Sequence, residues 1–281
     1  MKILITGGSG YLGSHLAQFL GELHEVSVLV RDGSSSSLVG THSKVFQYES
    51  FSQIRSVFES LKPDVVINTV ASYGRSNKKL ESLIDANITY PSRILSIARD
   101  IGVTTFIHTG TSLPDNLSLY ALTKNTFVNA VKMEGNEDIQ FIDIALEHFY
   151  GPGDDVSKFA SFVLHSCRLD EPLKLTSGLQ QRDFIYIDDV LAAFSVILSN
   201  ASEFGRIETI AVGSGCAVSL RHLVETIHEC SGSNSDLDFG AVPMRQNELM
   251  YSCADITKLS DLGWSAVYSL RNGVDSMIKG S

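Results

Sequence analysis

Short apolar runs alternate with longer amphipathic stretches along the first half of the chain. The run Lys2-Ile3-Leu4-Ile5-Thr6 is typical of a buried parallel strand, and the amphipathic stretch from Ser14 to Leu23 indicates the helix that follows it. The same pair recurs, with strands predicted at 25–30, 64–70, 105–109 and 139–147 and helices at 51–61, 80–101 and 119–133. This alternation predicts an α/β fold built on a doubly wound parallel sheet of the Rossmann type.

A glycine-rich turn, Gly7-Gly8-Ser9-Gly10-Tyr11-Leu12-Gly13, separates the first strand from the first helix. A pyrophosphate needs close approach to the backbone, which a Cβ would block, and it favours the free N–H groups at the positive end of a helix. Because the turn lies between a predicted strand and a predicted helix, it indicates a dinucleotide site. The residues expected to form it are Gly7, Gly10, Tyr11, Leu12 and Gly13.

The alternation becomes irregular after Gly151-Pro152-Gly153, where helices are predicted at 159–167, 190–198 and 220–230. We therefore expect a dinucleotide-binding domain at 1–150, with 183–213 returning to it. A smaller C-terminal α/β lobe that binds substrate is expected over most of 151–281. With 281 residues and an apolar fraction of 43%, the chain is long enough to bury a large core.

Tyr120 and Lys124 stand four residues apart on a predicted helix, hence on one helical face. The pKa of a free phenol is about 10, and an adjacent cation lowers it toward the range in which a proton exchanges readily at neutral pH. On the helix after the strand at 105–109, the pair is predicted to be catalytic, with Lys124 also holding the ribose of a nicotinamide. Taken alone, the spacing is much more typical of an ordinary Tyr-Lys pair on a helix surface.

Further motifs along the chain carry a family resemblance. They are Leu146-Glu147-His148-Phe149-Tyr150-Gly151-Pro152-Gly153-Asp154, Gln181-Arg182-Asp183-Phe184-Ile185-Tyr186-Ile187-Asp188-Asp189, Phe239-Gly240-Ala241, Arg245-Gln246-Asn247-Glu248 and Leu262-Gly263-Trp264. With the glycine spacing and the Tyr-Lys pair, the chain resembles the extended short-chain dehydrogenase/reductases, the NAD-dependent epimerase/dehydratase family. Over nearly its whole length it is similar to the nucleotide-sugar branch, especially to reductases of nucleotide-linked 4-keto-deoxy sugars.

The resemblance implies roles for several polar residues. A catalytic Ser or Thr follows the strand at 105–109 in the family, which places this role on Thr111, with Ser112 as the alternative; its hydroxyl would hydrogen-bond the carbonyl oxygen of the substrate. Asn87 matches a family asparagine that orients backbone or a water, whereas His108 is expected to be packed. Further cofactor contacts are implied at Glu49, Val70, Asn87 and Thr109, and substrate contacts at Ser72, Ser112, His148, Lys158 and Phe159.

Two arginines match the positions where family members hold the diphosphate of a sugar nucleotide, Arg182 and Arg245. The chain has a formal net charge of −10, so a ligand that bears phosphate must be met by local arginines. Arginine binds phosphate through charge-assisted, often bidentate hydrogen bonds. The alternative for each residue is a surface or salt-bridged arginine.

The end of the second predicted strand distinguishes two nicotinamide cofactors. In family members that use NAD, a carboxylate there accepts a hydrogen bond from the ribose hydroxyl, but Val30 stands at that position. Arg31 follows and can pair with a 2′-phosphate, with the serine hydroxyls of 34–37 around it. NADP(H) is therefore favoured, and NAD(H) is the alternative if Asp32 reaches the ribose.

Departures from the family pattern reduce the number of activities that the resemblance implies. Sugar dehydratases carry an acidic pair after the catalytic hydroxyl residue, whereas Ser112 and Leu113 stand here, so dehydration is not expected; His148 replaces the usual asparagine before Tyr-Gly-Pro. The implied activity is NADPH-dependent reduction of the C4 keto group of a nucleotide-diphospho-deoxy sugar, with Tyr120 as proton donor. A 4-epimerase that retains NAD and a non-catalytic NADP-binding regulator are the alternatives.

Composition and residue spacing limit the classes of binding partner and the cellular location that we expect. The acidic net charge disfavours nucleic acid and anionic membranes, and no apolar run approaches membrane-spanning length. The four cysteines lack C-x-x-C spacing and the eight histidines lack ligand spacing, so no disulfide frame or metal site is expected. We expect a cytoplasmic protein without a signal peptide. The family resemblance implies a homodimer formed through the helices at 80–101 and 119–133.

Overall fold

The computed structural model describes residues 1–34, 43–74, 79–135 and 138–281. Strands and helices alternate over most of the first half of the chain, as the apolar pattern predicts, but the strand at Ser43–Tyr48 was not predicted. The elements there are β1 (Lys2–Thr6), α1 (Tyr11–Gly21), β2 (Glu25–Arg31), β3 (Ser43–Tyr48), α2 (Phe51–Leu61), β4 (Val65–Asn68), α3 (Leu80–Ile84), α4 (Tyr90–Ile101), β5 (Thr105–Thr109), α5 (Leu119–Glu134) and β6 (Gln140–Leu146).

Shorter strands and further helices make up the second half. They are β7 (His148–Tyr150), α6 (Phe159–Arg168), β8 (Leu173–Leu175), β9 (Gln181–Tyr186), α7 (Ile187–Ser199), β10 (Ile207–Val212), β11 (Ala217–Ser219), α8 (Leu220–Ser231), β12 (Leu237–Phe239), α9 (Thr257–Asp261) and α10 (Leu270–Lys279). β11, β9 and β7 form a three-stranded sheet, and β12 pairs with β8.

The chain forms two compact units. One consists of Met1–Ala145 and Ile197–Ile210, and the other of Leu146–Val196 and Ala211–Ser281. Of the segment 183–213, which the sequence predicts to return to the first domain, the first unit contains Ile197–Ile210.

Seven strands form one sheet in the order β10-β6-β5-β4-β1-β2-β3. Along the part of the sheet ordered β6-β5-β4-β1-β2-β3, each strand pairs in parallel with its neighbour. The direction of strand progression reverses between β1 and β4, and ligands of such sheets bind beyond the carboxyl ends of the strands at this switch point. The predicted fold class, a doubly wound Rossmann sheet, is confirmed.

The core of the first unit packs against both faces of the sheet. Residues 3–5 of β1 are at most 1% exposed, because a parallel strand is covered on both sides. The rings of Phe106 in β5 and Phe141 in β6 stack with centroids 5.9 Å apart, and Phe127 of α5 meets Phe141 edge-on at the same distance. This packing places α5 firmly over β5 and β6.

The predicted helix at 80–101 is interrupted by a π-helical turn, Asp85–Thr89, between α3 and α4. Pro91 at the start of α4 has no N–H to donate to the carbonyl four residues earlier, and its ring crowds that carbonyl. The backbone N–H of Tyr90 instead donates to the carbonyl oxygen of Asp85, five residues back. Such turns often occur at functional positions, and this one contains Asn87.

Within the described ranges, no helix has both the length and the apolar character needed to cross a bilayer. Over the same ranges, no group of three or more His, Cys, Asp or Glu side chains is arranged to hold a metal ion.

Candidate active site

The glycine-rich turn leaves no room for side chains between β1 and α1. Gly7 has φ +79°, and a Cβ there would lie 2.7 Å from Thr69 Oγ1 and 3.0 Å from the backbone N of Val70. A Cβ at Gly13 would overlap the carbonyl oxygen of Gly7. Glycine is therefore required at both positions, and the start of α1 lies directly against the ends of β1 and β4.

The N-terminus of α1 fits a pyrophosphate. Gly10 is its N-cap and supplies no side-chain hydrogen bond, and the first turn contains no acidic residue. The N–H groups of the first turn therefore have no capping side chain and can meet an anion, which the helix dipole also favours. Of the other predicted contacts, Leu12 is buried and Tyr11 half-buried. Cofactor binding at this turn stays a prediction.

The residues predicted to distinguish NADP from NAD lie at the end of β2, and Glu49, another predicted cofactor contact, lies at the end of β3. Arg31 ends β2 and is exposed, and Asp32 beside it is exposed as well. Glu49 follows β3, is exposed, and donates its backbone N–H to Gln53 Oε1 at 2.7 Å. Ser34 is half-buried, whereas the other serines of the predicted group, residues 35–37, lie outside the described residues.

Tyr120 and Lys124 lie on the first two turns of α5, which follows the end of β5. Ser118 begins the helix by accepting a hydrogen bond from the backbone N–H of Ala121 at 3.1 Å. Tyr120 is half-buried, whereas Lys124 is 1% exposed and its Nζ has no hydrogen-bond partner among the described residues. Burial lowers the pKa of Lys124 to about 8, against the opposing attraction of Asp143.

The hydroxyl residues that follow β5 differ in their surroundings. Thr109 ends the strand and donates to the carbonyl oxygen of Asn68 at 2.9 Å. Thr111 is half-buried, and its Oγ1 accepts from the backbone N–H of Leu113 at 3.3 Å. Ser112 Oγ is buried and has no partner among the described residues. Two hydroxyls are thus available in this segment, and their catalytic roles stay predictions.

Asn87 joins the loop after β4 to α5. Its amide nitrogen donates to the carbonyl oxygen of Ser72 and to Thr123 Oγ1, both at 2.9 Å, and its Oδ1 accepts from the backbone N–H of Ser72 at 2.8 Å. The side chain is fully buried. Asn87 therefore fixes the segment with Val70 and Ser72, two other predicted contact residues, against the helix that carries Tyr120.

Two residues near these groups are not indicated by any sequence motif. Asp143 lies in the apolar strand Phe141-Ile142-Asp143-Ile144, is 5% exposed, and interacts with Lys124. A lone carboxylate inside an apolar strand was a signal that could have identified it. Tyr73 stacks on Tyr120, a contact that no sequence pattern indicated because the two residues belong to distant segments.

The second unit contains both predicted diphosphate ligands. Arg182 in β9 is 5% exposed and donates from Nη2 to Glu248 Oε1 at 2.7 Å and from Nη1 to the carbonyl oxygen of Gln181 at the same distance. Burial lowers the pKa of Arg182, and the charges of Glu248 and Glu147 oppose the shift. Arg245 is exposed, and its carbonyl oxygen accepts from the backbone N–H of Glu248. The Arg182 guanidinium is therefore paired with the carboxylate of Glu248, and Arg245 lies three residues before that carboxylate in the chain.

The other predicted substrate contacts in this unit have charged neighbours. His148 Nδ1 lies 3.4 Å from Glu147 Oε2, and Glu147, itself buried, accepts from Ser252 Oγ at 2.7 Å. No sequence motif assigned a role to this buried carboxylate.

Lys158 makes an ion pair with Asp154, with Nζ and Oδ1 3.0 Å apart, and lies over the ring of Phe149 at 4.1 Å from its centroid. Burial raises the pKa of Asp154, and the Lys158 charge opposes this. Phe159 begins α6 and is half-buried.

Comparisons with known proteins agree with this arrangement. The chain is 30% identical over 287 residues to CDP-abequose synthase of Salmonella muenchen, covering 99% of this chain and 97% of that protein. In fold it matches UDP-glucose 4-epimerase of Thermotoga maritima, solved with UDP-glucose, with a TM-score of 0.88 at 21% identity over 99% and 98% of the two chains. It also matches UDP-glucose 4-epimerase of Thermus thermophilus, solved with NAD, with a TM-score of 0.85 at 20% identity over 100% and 98%.

A protein-family model matches most of the length of the chain. The model described as NAD dependent epimerase/dehydratase family matches residues 3–213, which include the glycine-rich turn, Tyr120, Lys124 and Arg182. The chain therefore belongs to the NAD-dependent epimerase/dehydratase family of extended short-chain dehydrogenase/reductases.

Proposed function

We propose that the protein reduces the C4 keto group of a nucleotide-diphospho-deoxy sugar, a 4-keto-6-deoxy or 3,6-dideoxy sugar, with NADPH as reductant. Lys124, buried one helical turn after Tyr120, carries this proposal. An ammonium group loses its hydration when it is buried, and the site offers its Nζ no hydrogen-bond acceptor among the described residues. A buried cation beside a phenol supports a catalytic pair over a surface pair.

The residues of the first unit divide the reaction between them. NADPH, when bound at the glycine-rich turn, supplies the hydride to C4 of the sugar. Tyr120 donates its phenolic proton to the carbonyl oxygen, and the Lys124 charge stabilises the phenolate that remains. Thr111 donates a hydrogen bond to the same oxygen, where negative charge develops in the transition state. The half-buried position of Tyr120 leaves it accessible to a substrate.

The residues of the second unit supply charge for the nucleotide. A diphosphate has several negative oxygens, and the chain as a whole has a net charge of −10. Arg182 and Arg245 are therefore proposed to hold it through bidentate hydrogen bonds, with Lys158, Phe159 and His148 contacting other parts of the ligand. The relative named CDP-abequose synthase supports a sugar linked to a nucleoside diphosphate.

The choice of NADP(H) rests on the end of β2. Val30 is 1% exposed and apolar, so it provides no acceptor for a ribose hydroxyl. Arg31, which follows, is exposed and available to a 2′-phosphate.

A 4-epimerase that retains NAD is the second candidate. Two observations favour it: Asp32 is exposed next to Arg31, and the matched fold in Thermus thermophilus is a 4-epimerase solved with NAD. An epimerase oxidises and then reduces the same carbon, so it needs no added cofactor. Protein purified with bound NAD that converts a sugar nucleotide without added NADPH would establish this candidate and contradict the reductase.

The test of the proposed function is a substrate panel. CDP-, dTDP-, GDP- and UDP-linked 4-keto sugars are each assayed with NADPH and with NADH, following loss of cofactor absorbance. We expect turnover with at least one substrate and a higher kcat/KM with NADPH. A protein that binds NADPH yet turns over no substrate would support the non-catalytic regulator instead.

We also propose that the protein is a cytoplasmic homodimer. Large apolar side chains of α3 and α5 are exposed, namely Leu80, Ile84, Leu119 and Leu122. Exposed apolar groups on neighbouring helices are typical of an association surface. Light scattering after gel filtration should give twice the 30.6 kDa mass of the chain, and Leu122→Glu should reduce it.

A further inference from the structure

A row of polar side chains crosses the middle of the seven-stranded sheet. Thr6, Asn68, His108 and Asp143 are register partners on the adjacent parallel strands β1, β4, β5 and β6. Partners in register point to the same face of a sheet, so these four side chains form one continuous line. Each is at most 5% exposed. Buried polar side chains are costly unless they serve each other or a function.

Hydrogen bonds within the row define its direction. Thr6 donates its hydroxyl to Asn68 Oδ1 at 2.7 Å, so the amide nitrogen of Asn68 is the group that faces His108 Nδ1 at 3.0 Å. The Asn68 amide nitrogen can only donate, which makes Nδ1 the acceptor and places the imidazole proton on Nε2. Burial, assisted by the charge of Lys124, lowers the pKa of His108 well below its usual value. His108 is therefore neutral and adds no charge.

The row ends on a carboxylate under the proposed catalytic helix. Phe127 of α5 packs edge-on against His108 with centroids 4.8 Å apart, so α5 covers the face on which the row lies. Lys124 lies one turn before Phe127. Asp143 Oδ1 and Lys124 Nζ each lack a hydrogen-bond partner among the described residues, and the two side chains interact through their charges.

The absence of a side chain at Gly110 makes room for the carboxylate of Asp143. A Cβ at Gly110 would overlap Asp143 Oδ1, so only glycine lets the carboxylate lie against the backbone that leads from β5 to Thr111. The charged groups that act on Asp143 are Lys124 and Lys132, both on α5, and neutral His108 lies beside it on β5. Asp143 is therefore the negative charge that faces Lys124 from the sheet.

The pKa values of Asp143 and Lys124 indicate that the two side chains carry opposite charges at neutral pH. Burial raises the pKa of Asp143 to about 6, with Lys124 and Lys132 opposing the shift. The pKa of Lys124 is lowered to about 8. Near pH 7 the carboxylate is thus negative and the ammonium positive, and each reduces the cost of burying the other.

We propose that Asp143 is a positioning residue that keeps the buried Lys124 ammonium charged, so that Tyr120 can donate its proton at neutral pH. Asp143 touches neither substrate nor cofactor and acts only through Lys124. This inference deepens the proposed function and rests on it for its effect on turnover. The ionisation of Lys124 itself depends only on the fold.

The test compares Asp143→Asn with the unchanged protein in two measurements. The first is the pH profile of kcat, whose alkaline limb is expected near the Lys124 pKa of about 8. Loss of an opposite charge shifts a neighbouring pKa by about one to three units, so the limb should move to lower pH by at least about one unit. At pH 7 kcat should fall about twofold for a shift of one unit and about tenfold for a shift of two units, and it should recover toward pH 6, where more of the ammonium is charged. A purely structural defect would not recover on acidification.

The second measurement is the titration of Lys124 by the carbon NMR shift of its Cε, which needs no turnover. The Lys124 pKa should be lower in Asp143→Asn than in the unchanged protein, and equal values would overturn the inference. If no sugar nucleotide is reduced, the proposed function fails. The titration of Lys124 still shows whether Asp143 is its charge partner, because it does not depend on turnover. Asp100→Asn is the matched control, because Asp100 pairs with Arg55 on the surface and its loss should leave both measurements unchanged.

A reciprocal variant covers the case in which Asp143→Asn does not fold. In Lys124→Met the ammonium is replaced by an apolar chain of similar length, and the carboxyl carbon shift of Asp143 then reports its titration. Without the opposing charge, the Asp143 pKa should rise above about 6. An Asp143 titration that is the same with and without Lys124 would show that the two groups are not coupled.

Discussion

The ring of Tyr73 stacks on the ring of Tyr120, with centroids 4.8 Å apart and planes inclined by 27°. Tyr73 belongs to the loop that follows β4, and Tyr120 to the first turn of α5, so the contact joins two segments beyond the carboxyl ends of the sheet. Asn87 joins the same loop and helix through Ser72 and Thr123. The proposed acid is therefore held by a stacked ring on one side and by its own helix on the other.

Replacement of Tyr73 should affect the orientation of Tyr120. An aromatic pair contributes about 0.5–1.5 kcal/mol beyond its buried area, so Tyr73→Ala should lower kcat by roughly two- to tenfold, while Tyr73→Phe keeps the stack and retains activity. Steady-state kinetics of both variants measure this. Equal losses in the two variants would assign the effect to the Tyr73 hydroxyl instead.

Removal of the Tyr120 hydroxyl should stop proton donation without affecting cofactor binding. General acids contribute about a hundred- to ten-thousandfold, so Tyr120→Phe should lower kcat by this amount. The Kd for NADPH, measured by fluorescence titration, should be nearly unchanged because the ring and its stacking contact remain. Unchanged turnover would refute Tyr120 as the acid.

Arg31→Ala should weaken NADPH binding more than NADH binding. A hydrogen bond to a charged group contributes about 1.5–3 kcal/mol, so the Kd for NADPH should rise at least about tenfold while that for NADH changes little. Calorimetric titration with both cofactors measures the difference. Asp32→Ala is the control: if it weakens NADH binding and Arg31→Ala has no effect, the cofactor is NAD(H).

Variants of Arg182 and Glu248 should separate an effect on substrate binding from an effect on protein stability. Arg182→Met leaves the Glu248 carboxylate without its partner, which should lower the free energy of unfolding by about 3 kcal/mol and raise KM for the sugar nucleotide. The double variant Arg182→Met, Glu248→Met removes the unpaired charge and should recover stability but not KM. Recovery of KM in the double variant would show that Arg182 does not hold the diphosphate.

Asp143 should make stability depend on pH in a direction opposite to that of a salt-bridged surface carboxylate. Its folded pKa of about 6 lies above the ordinary value of 3.8, so the folded protein binds the extra proton between these values. The stabilisation from this group is complete below about pH 4 and is lost as pH rises through about 6. The difference in unfolding free energy between the unchanged protein and Asp143→Asn should therefore fall by roughly 2 kcal/mol from pH 4 to 6.5. Urea unfolding at four pH values measures it, and a constant difference would contradict the raised pKa.

Much of the architecture was predictable because local patterns report local structure. The strand at Thr105–Thr109 and the helix at Phe51–Leu61 have the predicted bounds. A buried parallel strand is apolar throughout, and an amphipathic helix repeats its apolar face every turn, so both leave a periodic signal. The π-helical turn at Asp85–Thr89 was not predicted, although Pro91 explains it once it is observed.

The chain by itself determined the doubly wound Rossmann topology, the glycine turn at Gly7 and Gly13, and the placement of Tyr120 and Lys124 on one helical face. Each of these depends on residues close together in sequence. Only the tertiary structure decided that Asp143 faces Lys124 and that Tyr73 stacks on Tyr120. Ionisation and ring packing depend on neighbours that folding brings from distant segments, and one-dimensional spacing carries no record of them.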